Sequence, residues 1–343
     1  MMFNRSGDFA MITWQGTCIG ARAKRLVTAP GFSGRVLAVL SDVAYLSGRD
    51  GEILWLFRDG VPLHGRGILL SLPLQCLHSG QDFWVEGYSL KIGRDLAIDL
   101  SRAVEWTPNP LRQWEIGPLV RVNDLVRQLL GTIAPDISDD GPGQMILGLS
   151  SILNGWNEPA FSPESWQLPI LSPVFALMTH CLEEGLSDIE TRGKELIGLG
   201  PGLTPCGDDF LGGLLFAAHW LREAYPGKLH LETQAIFNLI QWARNQTHPI
   251  SHAILGDLAI GQGPEPLHDL LRLLLKGEDL NGRTMGAVDC LLKVGYTTGW
   301  CILAGLLTCL LSVDTKQYDG MAYMPQRVTA NRFGPVKPLL FDL

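Results

Sequence analysis

"TPNPLRQW", Thr107–Trp114, separates two kinds of sequence pattern. Its prolines carry no N–H for a strand ladder and disrupt a helix interior, so the regular structure before it must end here. Upstream, between Gly34 and Trp106, "RVLAVLSDVAYL", "EILWLFRD", "RGILLSLPLQCL", "DFWVEGYSL" and "RDLAIDLSRAVEW" are apolar or alternating. The turn-forming "SGRDGE", "RDGVPLHG" and "HSGQD" lie between them. Short strands at that spacing predict a small sandwich or barrel.

Downstream of Pro118 the apolar residues recur at three-and-four spacing, as in "LVRVNDLVRQLLGTI", "DDFLGGLLFAAHWLREAY" and "PLHDLLRLLLKG", which predicts helices. The expected fold class is therefore α+β, with a β-rich domain over residues 1–118 and a mainly α-helical domain over residues 119–343. The last thirty residues, with Pro325, Pro335 and Pro338, read as an irregular strap. No fixed-period repeat is visible.

Composition narrows the function classes. With 343 residues and 46% hydrophobic content the chain can bury a full core. The net charge is −8, from 27 basic and 35 acidic side chains without a basic run, which argues against a nucleic-acid partner. The longest apolar run, Trp300–Val313, is too short for the ~20 residues that span a bilayer. The opening residues lack the apolar stretch of a signal peptide. A soluble cytoplasmic protein without a membrane partner is expected. Seven scattered cysteines without C-x-x-C spacing fit a reducing compartment and argue against a disulfide framework or a zinc cluster.

Within the helical half, "LIGLGPGLTPCGDDFLGG", Leu196–Gly213, breaks a good helical pattern abruptly. Gly198, Gly200 and Gly202 around Pro201 stop one helix. Thr204 as N-cap and Pro205 at the first helical position then start the next. Free N–H groups beside a glycine-lined hollow form a place for a phosphate or carboxylate, with Gly200, Gly202, Thr204 and Gly207 as the ligand-binding candidates.

Asp208 and Asp209 follow in the first turn. They either cap and stabilise a helix start, by ~0.3–1 kcal/mol each, or place one carboxylate at the hollow while the other caps or is solvated. A carboxylate at the hollow is placed to act as a general base or to hold Mg²⁺. A second glycine-flanked helix start, "VGYTTGWCILAG" from Val294 to Gly305, adds Thr297, Thr298 and Gly299 as binding candidates. Two such starts can converge on one ligand, or each can be an ordinary cap.

Residues Gly200–Leu211 resemble a bacterial family whose signature is Gly-Pro-Gly-Leu-Thr-Pro-Ser-Gly-Asp-Asp-Phe-Leu. Gly295–Gly299 is similar to its later Gly-His-Ser/Thr-Ser-Gly stretch, and Thr247–Ser251 to its Thr-x-x-x-Ser segment. Cys206 stands where the family has serine, and Tyr296 where it often has histidine. Members include a subunit of oxamate carbamoyltransferase, the enzyme of anaerobic allantoin breakdown. The resemblance implies a role near carbamoyl transfer within a multi-subunit assembly. It also implies a small anionic metabolite as ligand: carbamoyl phosphate, phosphate or an oxamate-like acid. On that reading the Gly200–Gly202 backbone and Thr204 hold phosphate oxygens, and Asp208 or Asp209 orients an amine or a metal. Thr297, Thr298 and Gly299 hold the other end. A non-catalytic ligand-binding or scaffolding protein using the same loops, and a stand-alone metal-dependent enzyme using Asp208 and Asp209, are the alternatives.

Other residues read more simply. His248 and His252 have the spacing of a helical metal pair, but Pro249 places His248 outside the helix, where Thr247 or His248 serves as a cap. Cys206 at a helix start is either a nucleophile or a small residue fitted into a tight loop. His180 and His219 belong to apolar helical patterns as core or edge residues. Trp55, Trp84, Trp106 and Trp114 are expected to pack the β-rich domain. Ile146–Pro163, with Asn154 and Asn157, reads as a turn-prone candidate lid.

Overall fold

The nine-residue strand β1 (Ile12–Gly20) organises the first half of the molecule. In the computed structural model, which describes residues 11–71, 74–137, 143–155 and 168–313, it is followed by helix α1 (Ala21–Thr28). Then come β2 (Ser33–Val39), β3 (Val43–Gly48), β4 (Ile53–Arg58), β5 (Gly67–Leu70), β6 (Asp82–Glu86), β7 (Ser89–Ile92), β8 (Leu96–Asp99) and β9 (Val104–Trp106). The first eight strands run in the order β5-β4-β3-β2-β6-β7-β8-β1, and β1 pairs back to β5, closing an eight-stranded barrel. β9 adds parallel to the end of β1. Closure removes the exposed strand edges that an open sheet would present.

Alternation sets what faces inward. In β3, Ala44 and Leu46 are buried, while Tyr45 and Ser47 point outward. Leu54, Leu56, Ile68, Leu70, Leu90 and Ile98 fill the interior from the other strands. Of the four tryptophans expected to pack the β-rich domain, Trp55 packs on Tyr45 and His64 of the barrel, Trp84 and Trp106 depart from the expectation, and the side chain of Trp114 lies outside the described residues. Trp14 is the one buried in the barrel core; Trp84 is exposed, and Trp55 lies half-buried on the outer face. Trp106 packs edge-on to His268 of the helical half.

Past the prolines the chain turns helical: α2 (Leu119–Ile133), α3 (Gln144–Leu153), α4 (Leu168–Glu184), α5 (Ile189–Lys194), α6 (Cys206–Ala224), α7 (Thr233–Ala243), α8 (Pro249–Ala259), α9 (Glu265–Lys276), α10 (Gly282–Leu292) and α11 (Thr298–Ser312). α3 covers the first part of the expected lid, so Ile146–Leu153 is helix, and Asn154 is its exposed C-cap. Asn157 and the C-terminal strap lie outside the described residues. None of the described helices is long and apolar enough to cross a membrane.

α6 and α11 are buried along most of their length and lie at the centre of the helical half. Their backbones touch. A Cβ on Gly213 would stand 2.0 Å from the Ile302 carbonyl oxygen, and one on Gly305 1.9 Å from that of Phe210.

A charged clasp joins the barrel to the helices. Arg66 of the β4–β5 connection, 4% exposed, binds Asp257 of α8, 2% exposed, through Nε and through Nη2 at 2.8 Å. Arg22 of α1 reaches the same carboxylate at 2.7 Å, and Glu52 accepts from both arginines at 2.8–3.1 Å. The two arginines and two acids are balanced in charge, which is the condition under which buried ions are tolerated. Beside them the Leu63 carbonyl accepts the Glu265 N–H at the start of α9, at 2.9 Å.

Candidate functional site

The glycine loop folds as its composition requires. Gly198 and Gly200 take positive φ, and side chains there would collide with the Gln246 carbonyl oxygen and with the Cys206 amide. α6 begins one residue later than expected. Pro205 is its N-cap, and no side chain caps the helix. Thr204 is not the cap because its hydroxyl is turned to that of Thr298, 3.0 Å away.

That contact brings the two helix starts together. Cys206 Sγ donates to Thr297 Oγ1 at 3.5 Å, so Thr204, Cys206, Thr297 and Thr298 form one polar group where α6 and α11 begin. Gly207 and Gly299 stand behind it. Their N–H groups are taken by the carbonyls of Leu199 and Val294, both at 2.9 Å. Their Cα atoms lie so close to the carbonyls of Leu196 and Leu291 that a Cβ would fall within 2.0 Å. These two glycines permit close packing. Gly202, with positive φ and open space beside it, sits at the exposed tip of the loop.

The acidic pair divides in role, and neither member is solvated. Asp208 Oδ1 accepts the Gly198 N–H at 2.6 Å. Its Oδ2 accepts the hydroxyls of Ser251, at 2.6 Å, and Thr247. Asp208 thus ties the glycine loop to the start of α8, through the two hydroxyl residues that the Thr-x-x-x-Ser resemblance marks. Burial raises its pKa, and the three donors oppose the rise.

Asp209 is 2% exposed and lies beside the Thr298 and Thr204 hydroxyls, yet its Oδ2 has no hydrogen-bond partner. Burial holds this carboxyl well above the ordinary carboxylate range, the nearby Cys206 and Asp208 add to the shift, and the two hydroxyls only partly oppose it. A carboxyl so placed favours the neutral form, which offers both a donor and an acceptor. Asp208 and Asp209 do not converge on a common ion, since both oxygens of Asp208 are already occupied.

Two features escaped the sequence reading. Tyr45, on the outer face of β3, has its phenol pushed up to about 12, chiefly by burial. Tyr45 packs edge-on to Trp55, which stacks on His64 at 4.1 Å. The Arg66–Asp257 clasp holds this face of the barrel against α8. The residues concerned were visible as outward positions of alternating strands, but their partners lie far along the chain.

The histidines have ordinary roles. His248 caps α8, its Nδ1 accepting the Ile250 N–H at 3.2 Å, and His252 Nε2 lies 3.1 Å from the Ile240 carbonyl oxygen. His180 and His219 are half-buried at helix edges. Among the described residues no group of three or more His, Cys, Asp or Glu is arranged to hold a metal ion.

The family model of oxamate carbamoyltransferase subunit AllH matches residues 196–310. The AllH segment begins at the glycine loop and ends within α11, so it contains both helix starts, Asp208, Asp209 and the Thr247–Ser251 pair. It is the family to which the signature of residues 200–211 points. No solved structure matches the chain.

Proposed function

We propose that this chain is a cytoplasmic subunit of a carbamoyltransferase assembly of the oxamate type. It would bind a small anionic metabolite (carbamoyl phosphate, phosphate or an oxamate-like acid) where α6 and α11 begin. The observation that carries this reading is the unpartnered Oδ2 of Asp209, buried beside two threonine hydroxyls. A buried polar atom without a hydrogen bond costs about 1–3 kcal/mol, so the site is poised for a ligand group that completes it. A carbamoyl or amide NH₂ satisfies Oδ2 as a donor. The neutral carboxyl in turn donates to a phosphate or carboxylate oxygen.

On this reading Asp209, Thr204, Thr297 and Thr298 contact the ligand, with the Gly200–Gly202 backbone at the open side. Asp208 positions the loop, and Gly207 and Gly299 let the helices approach. Transfer moves the carbamoyl group from the phosphate oxygen to the amide nitrogen of the acceptor and releases phosphate. Fixed donors around the developing charge lower the transfer barrier by preorganisation, without a covalent intermediate. The AllH match supports the assembly role, because the matched family is a subunit.

The test is gentle tagged purification from the native host, followed by a transfer assay on the isolated complex. Stoichiometric partner subunits and oxamate-dependent phosphate release from carbamoyl phosphate are expected. A partner-free chain without that activity, alone or in the native extract, would overturn the proposal.

A further inference from the structure

Cys206 is the first residue of α6, and Cys301 lies one turn inside α11. The Cys301 N–H donates to the Thr297 carbonyl at 3.0 Å, which sets Thr297 and Cys301 on one face of the helix. Cys206 meets that face. Its thiol reaches the Thr297 hydroxyl at 3.5 Å and hydrogen-bonds the Cys301 thiol. The Thr204–Thr298 contact pins the two helix starts beside it. Both sulfurs are buried.

We propose that Cys206 and Cys301 are a dithiol modification site that closes reversibly to a disulfide on exposure to a peroxide. The Cys206 thiol gives up its proton, its thiolate attacks one peroxide oxygen and the O–O bond breaks, giving a sulfenic acid and a hydroxide that takes up that proton as the first water. The Cys301 sulfur then attacks the Cys206 sulfur, the S–S bond forms and the S–O bond breaks. The hydroxyl leaves with the Cys301 proton as a second water. Two electrons pass from the thiol pair to the peroxide.

The roles of the two sulfurs follow from their surroundings. Hydrogen bonding with the Cys301 thiol, and less so with the Thr297 hydroxyl, brings Cys206 down to about 7 against the opposing effect of burial. Cys301, donating to Cys206 in a fully buried position, is held well above the usual thiol range. Cys206 is the attacking sulfur and Cys301 the resolving one. This inference rests on the thiol geometry and needs no ligand at the site.

The test uses the full chain, reduced, desalted and treated with hydrogen peroxide. Free thiols are then blocked with iodoacetamide after unfolding, and linked peptides are identified without reduction. A Cys206–Cys301 link as the dominant product, reversed by dithiothreitol and forming with a pH midpoint near 7, is expected. In Cys301→Ser the link is absent and dimedone labels Cys206 as the sulfenic acid. Recovery of both cysteines as alkylated thiols, or linkage of Cys206 to any other cysteine, would overturn the proposal.

Discussion

Replacing Asp257 by alanine tests whether the barrel is clasped to the helices as described. The change removes two bonds from Arg66, one at 2.8 Å, and one from Arg22 at 2.7 Å. It leaves two guanidinium groups to share Glu52 alone. Breaking a buried ion pair by deleting one partner costs about 3–5 kcal/mol. Arg66 keeps its bonds to Glu52 at 2.8 Å and to the Ile53 carbonyl at 3.1 Å, which places the expected loss near the lower limit, about 3 kcal/mol.

For a chain of this size that corresponds to a fall in Tm of about 4 °C, taking roughly 1.4 °C per kcal/mol. Urea unfolding followed by both tryptophan fluorescence and far-UV circular dichroism gives the value, provided the two transitions coincide. Replacing both Asp257 and Arg66 by apolar residues of similar volume should recover most of the loss, because no buried charge is then stranded. A loss below about 1 kcal/mol for the single variant would mean that Asp257 is solvated. The docking of the barrel on α8 would then be wrong.

Asp209→Asn removes an ionisation that burial opposes. The folded-state pKa lies above the unfolded value of about 3.9, so the favourable contribution is complete below that pH and is lost as pH rises through the folded pKa. The variant should therefore gain stability relative to the native chain as pH increases from 4 to 8, read as a widening Tm difference; a constant difference would show that Asp209 titrates normally. Gly305→Ala places a methyl group 1.9 Å from the Phe210 carbonyl oxygen and should cost about 1–3 kcal/mol or prevent folding. A native Tm would contradict the close crossing of α6 and α11. The His268 ring, buried between Trp106 and Phe216 with Nε2 accepting the Gly263 N–H, should titrate near 4 by NMR. A titration above 6 would place it in solvent.

What was legible in the sequence follows the range of the interactions. β2 to β9 fall within five stretches marked by local alternation and turn residues, but "RVLAVLSDVAYL" holds both β2 and β3 and "DFWVEGYSL" both β6 and β7, so the tight turns inside them went unread. β1 is harder to read, since "ITWQGTCIG" runs into α1 without a turn, and its partners β5, β8 and β9 lie far along the chain. The glycine loop and both helix starts were readable from Gly, Pro and Thr. The start of α6 shifted by one residue because Thr204 found a better partner on α11.

The burial of both aspartates was half visible. Phe210–Leu221 is apolar around the whole helix, which already implies a central helix whose first turn is enclosed. Which carboxylate would be satisfied was not visible, because it depends on Thr247 and Ser251 about forty residues onward. The Arg66–Asp257 clasp, with a sequence separation of 191, left no local trace at all.

The most direct test of the central claim is calorimetric titration of carbamoyl phosphate, and separately of inorganic phosphate, into the full chain and into Asp209→Asn. The chain is taken with whatever subunits accompany it in purification. The account predicts saturable binding to the native protein and at least about tenfold weaker binding to the variant, as expected for loss of one buried charge-assisted hydrogen bond, with Tm not lowered. Equal affinity in the two proteins, or no binding to the native complex, would contradict it.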